Sequence, residues 1–275
     1  MKRLLILLAA LLILTSSLKS QGELDEQQKI FFRNEKSFGI QLNTDGLGFG
    51  YRIANRTNYL NKNILEFEFG TIKHPKEYKI SSYYDGSSFV FGKRNFPMYF
   101  RASIGRQREL YPKADLGGVS IRFLYSAGPT LAVYKPVYYK VISEYIFINP
   151  YLAQIITKDE KFNTDPNSSQ DIIGKASFFK GFDEIGVIPG AFAKVGFAFE
   201  YSKEDKIIHA IEVGANVNAY LKEIPIMATN DNRAVFVSLF VSYRFGIVVN
   251  PLNPESGKNY QFRIISLYIS RFLLI

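Results

Sequence analysis

The chain has 275 residues, 34 Lys and Arg against 25 Asp and Glu, a formal net charge of +9, and neither cysteine nor tryptophan. The lack of cysteine excludes a disulfide-stapled exported scaffold and a lipoprotein anchor. The basic residues are scattered rather than gathered on one helix or stripe, so the charge reads as an exposed-loop property and not as a nucleic-acid footprint.

Met1-Lys2-Arg3, an apolar run from Leu4 to Leu14, and a short polar stretch to Ser20 have the three-part layout of a signal peptide. An apolar core of about eleven residues is too short to span a bilayer. Cleavage after Ser20 is therefore expected over a retained N-terminal anchor. No later run reaches the roughly 18 apolar residues of a membrane helix, and Ile264–Ile275 is broken by Arg271. An exported chain of this kind is soluble, peripheral or a barrel. Residues 21–35 are expected as a periplasmic segment, 36–247 as the barrel and 248–275 as a C-terminal tail.

From Phe38 onward, apolar residues recur at every second position, the period of a strand with two unlike faces. In chain order, Phe38, Ile40 and Leu42 oppose Gly39, Gln41 and Asn43. Leu47, Phe49, Tyr51 and Ile53 oppose Gly48, Gly50 and Arg52; Leu65, Phe67 and Phe69 oppose Glu66, Glu68 and Gly70. Phe100, Ala102 and Ile104 oppose Arg101, Ser103 and Gly105, with Pro97 marking a strand start or a bulge. Val119, Ile121 and Phe123 oppose Ser120 and Arg122, and the parity extends toward Leu131 and Val133. The last three segments, near residues 190–201, 207–221 and 233–247, place Lys194, Glu200, Glu212 and Arg244 opposite largely apolar faces.

Eight such segments, many longer than the usual five or six residues, suit tilted transmembrane strands better than a soluble sandwich. The expected fold is all-β: an antiparallel up-and-down transmembrane β-barrel of about eight strands (8–10). Long outer loops are expected at 74–95, 135–187 and 222–232, with mostly shorter turns at the periplasmic end. The polar faces then form a luminal charge network of Arg52, Glu66, Glu68, Arg101, Arg122, Lys194, Glu200, Glu212 and Arg244. In an eight-stranded barrel these charges neutralise one another and fill the lumen; a selective pore needs ten strands or more. Tyr51, Phe199, Tyr201, Tyr243 and Phe245 fall at periplasmic strand ends on the apolar face, as an interfacial aromatic girdle would.

Several stretches, in order along the chain, resemble an uncharacterised family of outer-membrane β-barrel (porin-like) proteins of the Bacteroidetes. They are FFRNEKSFGIQLNTDGLGFGYR (31–52), KHPKE (73–77), FVFGKRN (89–95), LYSAGPTLAVYKPVYY (124–139), AIEVGANVNAYLKEIPIM (210–227) and VSLFVSYRFG (237–246). The resemblance implies an outer-membrane location and a barrel, and brings no activity with it.

Catalytic chemistry has little to work with. The two histidines are His74, in an outer loop, and His209, on the apolar side near a strand end. A triad of His74 with Glu77 and a serine such as Ser81 is conceivable, and no histidines share a metal-ligand spacing. The expectation is a non-enzymatic integral outer-membrane barrel without cofactor or metal, structural, porin-like or surface-binding. Its partners are membrane lipid and, through the outer loops, a surface ligand or an envelope protein. The alternatives are a membrane-embedded lipid-modifying enzyme and a subunit of an envelope secretion or assembly complex.

Overall fold

The computed structural model describes residues 34–249 except 83–86, 116, 150–151, 163–171, 205 and 229–230. The signal peptide, most of the expected periplasmic segment and the tail beyond Val249 lie outside the described residues. Thirteen strands are present among the described residues: β1 (Asn34–Asn43), β2 (Gly46–Arg56), β3 (Asn61–Thr71), β4 (Lys79–Ser81), β5 (Ser88–Val90), β6 (Asn95–Tyr111), β7 (Ser120–Pro136), β8 (Tyr138–Asn149), β9 (Leu152–Lys161), β10 (Ile172–Lys175), β11 (Gly186–Glu200), β12 (Ile207–Tyr220) and β13 (Val235–Val249).

Eight of them close an antiparallel barrel in the order β1-β13-β12-β11-β7-β6-β3-β2. The seam is β1 against β13, with Phe38 opposite Phe245 and Asn43 opposite Phe240. Closure removes the exposed strand edges that an open sheet would present. β1 begins at Asn34 and β13 runs to Val249, so both reach past the expected barrel limits of 36 and 247. Pro97 sits as the third residue of β6 opposite Tyr134; the register shift of that strand pair is at Glu109–Tyr111 instead.

The polarity is inside out. Glu66 and Arg52 are 0% and 2% exposed, whereas Ile104 and Leu239 are 73% and 64% exposed. A continuous apolar exterior around a charged interior is unfavourable in water and favourable in lipid, where an apolar side chain need not be hidden and every backbone polar group is paired by closure. Two cross-strand glycine pairs let the interior fill. A Cβ on Gly48 or Gly70 would lie 2.3 or 2.5 Å from the Tyr99 hydroxyl, and one on Gly214 would lie 2.9 Å from Phe240 Cε1. The rings of Tyr99 and Phe240 occupy the space that side chains there would take.

The connections differ at the two ends. At the end where β1 starts, β2–β3, β6–β7 and β11–β12 are joined by short turns. At the other end, the segments expected as long loops are folded. β4 and β5 form a hairpin, and β8, β9 and β10 form a three-stranded sheet in the order β10-β8-β9. Alternation is weak there because these strands shelter only one small cluster, Phe89, Tyr139 and Ile172, with Ile80, Phe91, Val137, Val141 and Phe162 packed around it.

Candidate functional site

The lumen is built in layers. Nearest the short-turn end, Glu35 pairs with Lys62 and with Arg122, the latter at 3.3 Å. β1 and β7 stand on opposite sides of the ring, so the Glu35–Arg122 contact crosses the full lumen. Arg122 also pairs with Glu200, which accepts from Lys113 at 3.0 Å. Glu35, Lys62 and Lys113 extend this cluster beyond the sequence-derived charges. Glu35 shares the parity of Gly39 and Gln41, and continuing the alternation backward finds it. Lys62 is screened by Ile64, an apolar residue that faces the lumen at 3% exposure and breaks the pattern. Lys113 sits in a turn, where parity carries no information.

The middle layer is denser. Arg52 reaches Glu212 at 2.5 Å across the lumen and Glu66 at 3.0 Å on its neighbouring strand. Arg244 pairs with Glu66 and lies 3.2 Å from Glu212. Lys194 contacts Glu68 at 2.5 Å and Glu66 at 3.6 Å, and donates to the side-chain Oε1 of Gln41 at 3.1 Å. Arg101 closes the set with Glu68 at 3.1 Å, its guanidinium 3.7 Å from the Tyr99 ring and 5.0 Å from that of Phe192. Four cations thus share three carboxylates, with aromatic faces supplying further negative potential. Every one of these carboxylates contacts at least two cations, which offsets the cost of removing them from solvent.

Above the charges lies an amide layer in which Asn216 donates to Asn43 at 3.2 Å and accepts from Ser238 at 2.7 Å. Over it sits an apolar plug. Ile224, Ile226 and Met227 of the β12–β13 connection pack with Ile72, Tyr99 and Phe236. The segment expected as an exposed outer loop at 222–232 is therefore partly inside the mouth, since Ile224 and Ile226 are fully buried. Backbone bonds hold it there: Arg94 N–H donates to the Ile226 carbonyl at 2.8 Å and Ala228 N–H to that of Gly92 at 2.7 Å.

Side chains of the 72–95 connection complete the latch. Lys93 donates to Glu77 at 2.7 Å; burial pulls its ammonium below the ordinary lysine value, and Glu77 counteracts this. Burial likewise raises the phenol of Tyr139, whose hydroxyl lies 2.8 Å from the carbonyls of both Val90 and Lys93. His74 is buried, with Nε2 3.1 Å from the Asp231 carbonyl and Nδ1 3.2 Å from Lys76 N–H. Both ring nitrogens are committed to backbone, so the structure does not assemble His74, Glu77 and Ser81 into a triad.

Asp45, in the turn between β1 and β2, is half-buried at the same mouth. Burial holds its carboxyl above the ordinary aspartate value, and Ser238 and Arg101 reduce the rise. A carboxyl with a raised native pKa contributes stability below its unfolded pKa and loses it as pH rises through the native one. Asp45→Asn is therefore expected to raise the urea midpoint at neutral pH and to flatten its change just above about pH 4, which denaturant titrations at two pH values would read.

On the outer wall, rings form a chain around the short-turn end. Tyr51 lies 4.8 Å from Phe38, Phe38 lies 6.0 Å from Phe245, and Phe245 lies 6.4 Å from Tyr243. His209 continues it, 6.2 Å from both Tyr243 and Tyr201, and its Nδ1 is 2.7 Å from the Tyr243 hydroxyl. Phe199 is half-buried on the same wall. Phe38 and His209 are thus members of this belt that the sequence-derived set omits. Higher on the wall, a furrow of about 680 Å³ is lined by Phe38, Phe49, Phe67, Phe69, Phe100 and Leu131, and opens away from the lumen.

No family model matches the sequence, and no curated protein matches it. Among solved structures, the chain is similar to several bacterial proteins at low identity. Ail, the attachment invasion locus protein of Yersinia pestis, is 9% identical, with 79% of this chain and 97% of that one covered at a TM-score of 0.34. Neisserial surface protein A is 8% identical over 78% and 96%, at 0.34. A major outer membrane protein of Thermus thermophilus is 11% identical over 78% and 99%, at 0.35.

Proposed function

We propose that the chain is an integral outer-membrane β-barrel, non-enzymatic, with a sealed lumen and a folded outer cap that carries its contacts with surface ligands or envelope proteins. The ordered succession of its motifs supports placing it with the Bacteroidetes barrels it resembles. The inside-out polarity supports the membrane, and the basic, apolar start of the chain supports export through a cleaved signal peptide.

One observation carries the choice between a pore and a closed barrel. Ion pairs join opposite walls at two levels, and Ile224, Ile226 and Met227 fill the mouth above them. A hydrated ion would have to displace both an apolar plug and an interlocked charge network to pass. The luminal charges act here as the structural filling of a narrow barrel.

The test is planar-bilayer recording of the purified barrel. Insertion without ohmic conductance steps is the expected result; a steady open-channel conductance would overturn the sealed-lumen reading.

The outer cap favours a partner over a purely structural role. The β8–β9 hairpin exposes Tyr145, Ile146 and Ile156. Among the described residues, β9 pairs with β8 alone, which leaves one backbone edge open.

A further inference from the structure

The connection between β10 and β11 carries Phe178, Phe179 and Phe182, exposed by 51%, 79% and 40%. Three neighbouring phenylalanines that open to the surroundings are costly in water unless something covers them. They form one cluster: Phe178 lies 5.8 Å from Phe179 and 5.7 Å from Phe182. A short 3-10 turn at Phe182–Glu184 shapes it. Gly181, at φ 88°, brings the chain against Pro136, to within 3.0 Å of where a Cβ would lie.

The position of this cluster decides what covers it. Phe96 and Lys135 face each other across β6 and β7. They share the parity of Phe100 and Leu131, so both point to the outside of the barrel. Phe178 packs edge-on against Phe96 at 5.7 Å. The Lys135 ammonium lies 4.5 Å from the Phe178 ring and 5.1 Å from that of Phe182, and donates to the Lys180 carbonyl at 3.1 Å. The cluster therefore wraps the outer wall at its upper rim and hides a lysine that would otherwise point from that wall.

Height agrees with this placement. On β11, Val187 and Phe199 face outward and are about twelve residues apart, roughly 40 Å of strand. At a tilt of about 40° that becomes roughly 30 Å of vertical rise, the thickness of a hydrocarbon core. With the lower aromatic belt at Phe199, the Phe178–Phe182 cluster and the exposed Ile185 fall at the opposite interface. Two ion pairs lie around it, Lys180 with Asp159 at 2.9 Å and Lys161 with Glu184, and Asp183 is exposed beside them. The Lys161 ammonium holds the Glu184 carboxyl below its ordinary range. An aromatic surface rimmed by charged groups and continuous with a lipid-facing wall suits the headgroup boundary of a bilayer.

We propose that residues 177–185 are an interfacial anchor that inserts Phe179, flanked by Phe178 and Phe182, into the outer leaflet and so fixes the cap on the membrane surface. This rests on the membrane reading above. The chain lacks tryptophan, so single Phe179→Trp, Val195→Trp and Tyr145→Trp variants each report from one place. Each would be reconstituted into phosphatidylcholine vesicles, with folding checked by heat-modifiable gel mobility and Phe182→Trp in reserve should Phe179→Trp fail to fold. Quenching by brominated acyl chains and by aqueous acrylamide is then compared.

The expected result is that bromines near the headgroup end quench Phe179→Trp strongly, mid-chain bromines quench Val195→Trp, and acrylamide alone quenches Tyr145→Trp. If Val195→Trp is quenched by lipid while Phe179→Trp behaves like Tyr145→Trp, the anchor is overturned and the membrane barrel stands; the cluster is then left for a protein partner. If Val195→Trp also escapes lipid quenching, the membrane reading itself falls.

Discussion

Glu66→Ala is expected to cost about 3–5 kcal/mol of barrel stability, because it strips a carboxylate from several buried cations at once. Glu66 is fully buried and contacts Arg52 at 3.0 Å, Lys194 at 3.6 Å and Arg244. Without it, Glu68 and Glu212 are left to balance four luminal cations. The surface pair Lys158–Glu160, at 2.5 Å and largely exposed, supplies the contrast. Glu160→Ala is expected to cost about 1 kcal/mol or less. Urea unfolding in lipid vesicles, and the temperature at which gel mobility shifts, would read both. Equal effects at the two sites would mean that the luminal network does not hold the barrel together.

Ile226→Asp is expected to expel the plug while the barrel stays folded. Ile226 has no exposed surface and sits among Ile72, Ile224 and Phe236. An unpaired carboxylate there would cost several kcal/mol, against a connection whose remaining ties are backbone bonds to residues 92–95, the Asn95 amide on the Pro225 carbonyl, and His74 and Lys76 on Asp231. The low-cost response is local: the 221–234 segment swings out and the carboxylate is hydrated. Limited proteolysis would then cut this connection much faster than in the parent protein, with heat-modifiable mobility retained. Conductance should remain closed, because the charged layers lie below the plug. If proteolysis is unchanged, the connection is held by more than the contacts described above.

Alternation with a period of two is a local property, and the parity of Arg52, Glu66, Arg101, Lys194, Glu212 and Arg244 can be read from it residue by residue. Where an apolar residue faces inward, that reading stalls. Ile64 hides Lys62, and Phe192, Leu124 and Phe240 are luminal although nothing in their hydrophobicity says so. Parity also leaves the partners open. Arg52 meets Glu66 through the β2–β3 register, which a hairpin nearly dictates, but it meets Glu212 across the lumen only because eight strands close with a particular shear.

The cap shows the same division more sharply. Its strands shelter only one small cluster, so their sequences look like loops. Leu221, Ile224 and Ile226 follow one another closely after Tyr220, the last residue of β12, and of these three only Leu221 stays outside. Nothing along the chain distinguishes them.

By itself, then, the sequence determined the strand period, which residues share a face, and the contrast between long and short connections, because each depends on neighbours a few positions apart. Only the tertiary structure decided the cross-lumen pairs, the apolar plug and the aromatic cluster on the outer wall. Those depend on closure, which brings residues far apart in the chain into contact and gives one parity a charged interior and the other a lipid-like surround.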